Sequence, residues 1–417
     1  MFCLPEASVG VLSTIFSSIL GNYMKAWSFG DKVKNLEEAA ISSTIEIYVK
    51  IQEDLRPTPS KFHYLFNLRD VSKVVQGLCM VKQQSIPTED IFMRLWVNEC
   101  CRVFHDRLIN TDDTNWFKDL TVDLINKNFK QSPDKDELFS NLRFGDLLKL
   151  GGGNPLYEYM VDKPKLLKGL NGSLEEYNSS GTSKMNLVLF DDALEHILRI
   201  GRVLKQPRGH IMLIGVGGSG KQSLLRLISF MREMAYNNIE LTKGYGIVQF
   251  QEHMKGIMKE SGIEGKAIAF VMTDTMIINE SFIENLNNLL NTGEIPNLML
   301  PEDKEDISNG LRPVCQEKKI VDTLDNMAAL FIDRIRENLH ICLCMSPVGE
   351  TLRVRCRQFP ALINCCTLDW FGRWPEEALL YVSTEFLKEL PECSEEVKTG
   401  LAEMCMRIHT SVEDMSE

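Results

Sequence analysis

The chain has 417 residues, of which 44% are hydrophobic, and its formal net charge is −12. This length suits about two to four domains, and the hydrophobic content excludes global disorder. The negative charge argues against a general nucleic-acid coat protein, although it leaves room for a local basic patch. The twelve cysteines form no C-x-x-C pair, so neither a zinc site nor a disulfide framework is predicted.

The first 130 residues show the spacing of a helical bundle. Apolar side chains recur at helical intervals over residues 35–55, 70–82 and 88–108. Residues 14–20 have the pattern of an amphipathic helix rather than of a signal peptide. Because the sequence contains no apolar run of about 18 residues, we predict no membrane span.

Residues 131–185 are less regular, with loops predicted at 151–155 and 178–183, and we interpret them as a connecting segment. After residue 185, apolar runs of strand length alternate with helical patterns, which predicts an α/β domain over residues 186–374. The runs are near-continuous, as expected for a parallel five-stranded sheet covered on both faces. They occupy residues 211–214, 239–241, 267–272, 341–345 and 362–368. Residues 375–417 are predicted to be helical again.

A glycine-rich loop separates the first of these runs from a helical pattern. Glycines allow backbone N–H groups to converge on a phosphate, the new helix directs its positive end the same way, and a lysine adds a mobile positive charge. The spacing G-x-x-x-x-G-K is typical of a P-loop, which predicts a bound nucleoside triphosphate. A glycine turn with a purely structural role is the alternative. The segment reads Gly215, Val216, Gly217, Gly218, Ser219, Gly220 and Lys221.

The residues that would hold Mg²⁺ depart from the usual pattern. The position after the lysine normally carries Ser or Thr, whose hydroxyl binds the metal. Here it is Gln222, and the nearest hydroxyl belongs to Ser223. Asp274 ends a hydrophobic run, as an acidic metal ligand at a strand end does. We therefore predict that Ser223 and Asp274 bind the metal. The alternative is that Asp274 is only a cap at the end of the strand.

The position next to Asp274 usually holds a catalytic glutamate, but here it is Thr275. A threonine cannot act as a carboxylate base, and Glu280 is poorly placed in the sequence to replace it. Ser346 ends the fourth run and is either a sensor of the γ-phosphate or the start of a turn.

Three arginines precede the last run. An arginine keeps its charge and stabilises a transferring phosphoryl group, whereas the alternative is a solvated basic edge. The three are Arg353, Arg355 and Arg357.

Taken together, these features resemble the motor ring of dynein heavy chains, most closely the axonemal class. The resemblance extends over nearly the whole chain. Its markers are TIFSSIL at 14–20, PTPSK at 57–61, FNLRD at 66–70, RLWVNE at 94–99, PRGH at 207–210, NNLLNTGEIP at 287–296 and CMSPVG at 344–349. In that family, six AAA+ modules form one ring, and each has an α/β large subdomain and a helical small one.

The resemblance implies a domain assignment. Residues 1–130 would be the small subdomain of the third module and residues 131–185 the connection. Residues 186–374 would be the large subdomain of the fourth module, and residues 375–417 the start of its small subdomain. The ring's main hydrolytic module, stalk, linker and tail lie outside this segment, so we expect a fragment or short isoform that does not walk by itself.

The resemblance also implies roles for single residues. Val188, Leu189 and Phe190 would pack on adenine. Lys221 and the glycine loop would hold phosphates, and Asp274 would be the Walker B acid. Arg69 resembles a sensor-2 arginine that serves the nucleotide of the third module. Arg357, with Arg353 and Arg355 as alternatives, resembles an arginine finger that reaches the same nucleotide.

Because Gln222 and Thr275 depart from a hydrolytic AAA+ site, we expect binding of ATP or ADP with Mg²⁺ and slow or no hydrolysis. The implied parent activity is ATP-driven, minus-end-directed movement on microtubules. The implied partners are other AAA+ modules of the same chain, intermediate and light chains, and microtubules, without nucleic acid or membrane. The implied location is the cytoplasm, the cytoskeleton and the axoneme of cilia and flagella. The alternatives are a self-contained AAA+ ATPase that remodels proteins as a homo-oligomer, and a nucleotide-independent scaffold.

Overall fold

The computed structural model of the protein describes residues 7–140, 142–147, 155–181, 184–388, 390 and 394–416. The predicted loop at 151–155 and the end of the one at 178–183 lie largely outside these ranges. None of the described helices is long and apolar enough to cross a bilayer.

Within these ranges the chain forms a helical bundle followed by an α/β unit. The bundle and the connecting segment contain α1 Val9–Ala26, α2 Asp31–Lys34, α3 Glu37–Asp54, α4 Leu68–Leu78, α5 Glu89–Val103, α6 Thr111–Leu124, α7 Lys135–Ser140, β1 Phe144–Gly145, β2 Glu158–Tyr159 and α8 Lys163–Ser179. The remainder contains α9 Asp191–Lys205, β3 His210–Ile214, α10 Lys221–Met231, β4 Ala235–Asn238, α11 Ile247–Lys259, β5 Ile268–Thr273, α12 Glu280–Thr292, α13 Pro301–Glu317, α14 Leu324–Asn338, β6 Leu339–Met345, α15 Thr351–Gln358, α16 Ala361–Asn364, β7 Cys366–Trp370, α17 Glu376–Leu387 and α18 Glu395–Ser416.

The bundle predicted from the helical spacing is confirmed. Its helices start where the sequence supplies caps: Asn67 and Asp70 form a capping box at α4, and the Thr88 side chain caps α5. Their apolar faces meet in one core, in which Trp96 is fully buried. The Trp96 indole N–H donates to Thr44 Oγ1 at 2.9 Å, so its polar atom is satisfied inside that core.

The predicted parallel five-stranded sheet is also confirmed, with the strand order β4-β5-β6-β3-β7. Strands β3, β5 and β6 are buried along their whole length, which explains their near-continuous apolar runs. In the register, Ile214 of β3 pairs with Met345 of β6, and Thr273 of β5 pairs with Cys344. The carboxyl ends of these three strands therefore lie level at one edge of the sheet, where ligands bind in such folds.

Two of the predicted strands differ from the structure. The strand predicted at 239–241 is wrong, because β4 ends at Asn238 and Ile239 packs into the core beyond it. β4 is a partly exposed edge strand. Its position is determined by its hydrogen-bonded pairing with β5 and not by the hydrophobicity of its residues. The strand predicted at 362–368 is wrong in its first half. Pro360 caps the short helix α16 there, and β7 begins only at Cys366.

The connecting segment is more regular than predicted, because it contains the 17-residue helix α8. It also belongs to both parts of the molecule. Phe144 of β1 and Tyr157, which directly precedes β2, complete the core of the bundle. Leu166 and Leu170 of α8 pack into the core on one face of the sheet.

A buried ion pair joins the bundle to the α/β unit. Glu99 of α5 is fully buried, and its Oε2 accepts a hydrogen bond from Arg202 Nε of α9 at 2.8 Å. Its Oε1 accepts one from the Tyr157 hydroxyl at 2.9 Å. Gly77 of α4 lies against this pair, and a Cβ there would come within 1.7 Å of the Glu99 carboxylate. Only glycine fits at this crossing.

Candidate nucleotide-binding site

The glycine loop runs from β3 to α10 at the carboxyl edge of the sheet. Gly218 and Gly220 have φ values of 82° and 84°, a conformation that L side chains rarely adopt. Gly220 is the N-cap of α10, so the first free N–H groups of that helix face the loop. A Cβ on Gly217, Gly218 or Gly220 would meet no atom within 4 Å, so the concave side of the loop is open. Open space beside unpaired N–H groups suits a phosphate group.

Lys221 lies across the mouth of this loop. Its ammonium donates hydrogen bonds to the carbonyl oxygens of Gly215 and Val216 at 2.7 Å and to Ser219 Oγ at 2.9 Å. Partial burial lowers the pKa of Lys221, and the negative charge of Asp274 acts in the opposite direction. Lys221 and Asp274 therefore lie at the same edge of the sheet, as the P-loop interpretation requires.

Asp274 follows β5 and is held by two donors. Its Oδ2 accepts a hydrogen bond from the Ser346 backbone N–H, and its Oδ1 lies 3.3 Å from Arg355 Nη1. Burial raises the pKa of Asp274 above its ordinary value, and the Ser346 N–H, Arg355 and Lys221 offset only part of that rise. Arg355 also binds Glu280, with Nη2 at 2.8 Å and Nε at 3.1 Å from Oε1. One buried guanidinium thus contacts both carboxylates and offsets one of their two negative charges.

The position of the usual catalytic glutamate is filled by a neutral pair. The hydroxyls of Thr273 and Thr275 lie 2.9 Å apart and share a hydrogen bond. Neither hydroxyl can accept a proton from an attacking water as a carboxylate does.

A single cavity extends from the P-loop to an apolar wall and encloses about 250 Å³. The P-loop end is formed by Gly218, Ser219 and Gly220, with Ser223 of α10 beside them. The far wall is largely aromatic, and the rings of Phe190 and Trp374 lie 4.7 Å apart. A cavity that is polar at the phosphate loop and aromatic at its other end matches a nucleotide.

A network of buried polar and ionisable residues lies behind one wall of the cavity. His196 lines the cavity, and its Nδ1 lies 2.7 Å from Asp369 Oδ2 at the end of β7. Arg199 Nη1 donates to the other Asp369 oxygen at 3.0 Å, and its Nε lies 3.4 Å from Asp106 of the bundle. Asp106 in turn pairs with Arg102 at 3.0 Å. A chain of ion pairs therefore connects the cavity wall to the bundle.

The structure places the predicted site residues in different surroundings. Val188 and Ser223 line the cavity, whereas Leu189 is 5% exposed and packs into the core instead. Gln222 is exposed on the first turn of α10. The Ser346 hydroxyl accepts a hydrogen bond from the Val348 N–H at 3.3 Å, as expected for the turn alternative.

The predicted residues of the neighbouring nucleotide site lie away from this cavity. Arg69 starts α4 at the junction with the α/β unit, and its Nη1 donates to Cys365 Sγ at 3.2 Å. The three arginines all belong to α15, on which Arg353 and Arg357 lie four residues apart on one face while Arg355 projects from a different side. Arg357 is exposed, whereas Arg355 points inward to Asp274. These roles stay predictions.

The sequence analysis missed His196, Asp369 and Phe371. Asp369 and Phe371 flank the end of β7, the strand next to the P-loop strand, so the rule that ligands bind at carboxyl strand ends would have found them. His196 gives no comparable signal, because a lone histidine on an amphipathic helix is usually a core residue.

The glycine loop, the acidic strand end and the strand order define a P-loop nucleotide-binding protein of the AAA+ class. Comparison with known families agrees. A model described as "P-loop containing dynein motor region D4" matches residues 185–417, and one described as "AAA+ lid domain" matches residues 40–139. The chain belongs to the dynein motor family.

The relatives named below are much longer than this chain. "Dynein axonemal heavy chain 6" of Homo sapiens is 42% identical over 421 aligned positions, which cover 100% of this chain and 10% of that protein. "Dynein axonemal heavy chain 1" of Mus musculus is 42% identical over 96% of this chain and 10% of its own length. "Dynein beta chain, ciliary" of Tripneustes gratilla is 39% identical over 100% of this chain and 9% of its own length. The chain thus spans about a tenth of the length of these relatives.

Proposed function

We propose that this chain binds ATP or ADP in its P-loop cavity and acts as a regulatory, nucleotide-binding segment of a dynein heavy chain. The observation that carries the proposal is the continuous cavity from Gly218 and Gly220 to the aromatic wall. The phosphates lie against the loop and the start of α10, and the base lies between Val188 and the aromatic residues. Lys221 is within reach of the outer phosphates.

Hydrolysis by this site is slow or absent in our proposal. A hydrolytic site needs a carboxylate free to orient and deprotonate water. Thr275 carries none, and Glu280 is held by Arg355. Arg355 also lowers the negative charge available at Asp274. The site therefore holds its nucleotide longer than a hydrolytic site does.

Mg²⁺ binding is a further part of the proposal. The Ser223 hydroxyl and the Asp274 carboxylate are oxygen ligands of the kind that Mg²⁺ takes together with nucleotide phosphates. The ion supplies positive charge to the phosphates when it is bound. Since both Asp274 oxygens already accept hydrogen bonds from Ser346 and Arg355, we expect the protein's share in metal binding to be weak.

The relatives supply the wider context of the proposal. We infer that the full-length parent moves towards microtubule minus ends in the axoneme of cilia or flagella, in the cytoplasm and cytoskeleton. Its partners are its own AAA+ modules, intermediate and light chains, and microtubules. Residues 1–130 are the small subdomain of the module that precedes residues 186–374. Arg69 and the exposed Arg357 serve the nucleotide of that preceding module in this proposal, and the match of residues 40–139 to the AAA+ lid domain supports the subdomain assignment.

The test is ATP binding, measured by calorimetry on the wild type, Lys221→Ala and Lys243→Ala. Lys243 is exposed and outside the cavity, so its variant is the matched control. Loss of a charged donor to a phosphate weakens binding by about ten- to hundredfold, so we expect that loss in Lys221→Ala alone. If ATP protects the wild type and Lys221→Ala equally against heat, specific phosphate binding by the loop is wrong, which favours the nucleotide-independent scaffold.

Two further measurements on the same samples, ATP turnover and oligomeric state, distinguish the alternative functions. ATP turnover of about 1 s⁻¹ or faster contradicts slow hydrolysis. A hexamer that forms only with ATP favours the self-contained ATPase, in which Arg357 would reach a neighbouring copy.

A further inference from the structure

His196 is fixed on two sides. Phe371 stacks on its ring face, with the centroids 3.8 Å apart and the planes 5° from parallel. Its Nδ1 lies 2.7 Å from an oxygen of Asp369, which is 1% exposed. Burial raises the pKa of Asp369, but His196 and Arg199 outweigh it and keep the pKa below its ordinary value. Asp369 is therefore a carboxylate, which only accepts, so the proton of the imidazole must lie on Nδ1.

The second ring nitrogen of His196, Nε2, is available to contact a ligand in the cavity. Nε2 of His196 has no hydrogen-bond partner in the described part of the chain, and it is not among the fully buried polar atoms. The ring itself lines the same cavity as the P-loop, beside Phe371, whose backbone N–H donates to the Ile214 carbonyl oxygen at the start of that loop. In the neutral ring with the proton on Nδ1, Nε2 carries a lone pair and is a hydrogen-bond acceptor.

We propose that His196 determines which purine this site accepts, because its Nε2 accepts a hydrogen bond from the 6-amino group of adenine. Hypoxanthine and guanine present a keto oxygen at that position, so two acceptors would then face each other. Asp369 is a positioning residue, since it acts only through the proton it holds on Nδ1. The inference rests on the proposed nucleotide function and adds the base selectivity of that site.

Asp192 is the other group that needs separate testing. It lines the same cavity one helical turn before His196, and a carboxylate there is also an acceptor. Asp192 is exposed to solvent, however, whereas His196 is 9% exposed. A hydrogen bond shielded from water discriminates more strongly than an exposed one, so we assign the selectivity to His196.

The first experiment compares the affinities of ATP and ITP for the wild-type chain by calorimetry. The two ligands share the ribose and phosphates and differ in the group at position 6. We expect ATP to bind about ten- to hundredfold more tightly, the range for leaving a buried acceptor unpaired. Equal affinities overturn the inference and leave the proposed function standing. If neither ligand binds, the proposed function itself fails.

The second experiment repeats the comparison with His196→Phe and Asp192→Asn. The phenyl ring retains the stacking on Phe371 and removes Nε2, so we expect the preference for ATP over ITP to vanish while the phosphates still bind. Asp192→Asn is the matched control and retains the preference. The reverse pattern, with selectivity lost only in Asp192→Asn, overturns the role of His196.

The first part of a third measurement uses the wild-type chain alone and so does not depend on whether a variant folds. Long-range ¹H–¹⁵N NMR of ¹⁵N-histidine-labelled wild type reports which imidazole nitrogen carries the proton. We expect the His196 proton on Nδ1, and in Asp369→Asn we expect the other tautomer to appear and the preference for ATP to fall. A wild-type proton on Nε2 contradicts the inference.

Discussion

At the scale of single residues, Arg355 decides the electrostatics of the candidate site. The sequence places it among three arginines, and the family resemblance singles out Arg357 rather than Arg355. Its helix α15 turns it towards Asp274 and Glu280, where it is 8% exposed. The sequence therefore predicts that a guanidinium lies near the phosphates. Only the fold shows that the Arg355 guanidinium is already paired with Asp274 and Glu280.

Thr275→Glu tests whether the missing carboxylate limits hydrolysis. A glutamate at this position restores a base next to Asp274, and such a base contributes typically about 10²- to 10⁴-fold in rate. We expect ATP turnover to rise at least about tenfold, since Arg355 still neutralises part of the charge. Turnover is measured by phosphate release, with Thr275→Gln as the control of equal size. An unchanged rate in Thr275→Glu would place the limit elsewhere, with Arg355 the next candidate.

At the scale of elements, buried segments were predictable and edge segments were not. The strands β3, β5 and β6 are apolar throughout because both faces of the sheet are covered, so composition alone finds them. β4 pairs on one side only, and its polar Asn237 and Asn238 give no such signal. The P-loop was recognisable because its spacing is local, whereas the His196–Asp369 contact joins positions 173 residues apart.

The ion pairs between α9 and the bundle lead to a stability prediction. Asp106 is 8% exposed and pairs with Arg102 and Arg199, which together hold its pKa well below the ordinary value despite its burial. Asp106→Asn leaves both arginines short of a counter-charge, which typically costs about 3–5 kcal/mol for a buried pair. We expect that loss in urea unfolding.

Asp119→Asn is the control for this prediction. Its partner Lys135 forms an exposed ion pair, for which a loss of about 0–1 kcal/mol is typical. Equal losses in the two variants would mean that the α9 ion pairs do not join the two parts of the molecule.

At the scale of the whole molecule, buried histidines at the junction make stability depend on pH. His63 of the bundle packs on Trp370 of β7 with ring centroids 4.9 Å apart. Its Nε2 lies 2.9 Å from the Arg107 carbonyl oxygen, and its buried Nδ1 has no partner among the described residues. Burial, aided by the charge of Arg107, lowers the pKa of His63 to about 4. The folded state therefore excludes a proton that the unfolded chain binds near pH 6.5.

The sign of the effect follows from that difference. Above pH 6.5 His63 is neutral in both states, and its contribution to stability is fully present. As the pH falls from 6.5 towards 4, only the unfolded chain gains the proton, so the free energy of unfolding decreases. Between pH 7 and pH 5 we expect His63 to account for a loss of about 2 kcal/mol. Urea unfolding at both pH values checks this, and His63→Phe should reduce the loss; an unchanged pH dependence in that variant contradicts it.

Helix α9 carries His196 at the cavity wall and, three and six residues later, Arg199 and Arg202 in ion pairs with the bundle. Because α9 is held by contacts at the cavity wall and at the bundle, a displacement of one part of the helix is transmitted to the other. A bound purine that displaces His196 would therefore also displace the ion pairs of α9 with Asp106 and Glu99, or those ion pairs would oppose the displacement. We therefore expect nucleotide binding in the cavity to be coupled through this helix to the contacts between the α/β unit and the bundle.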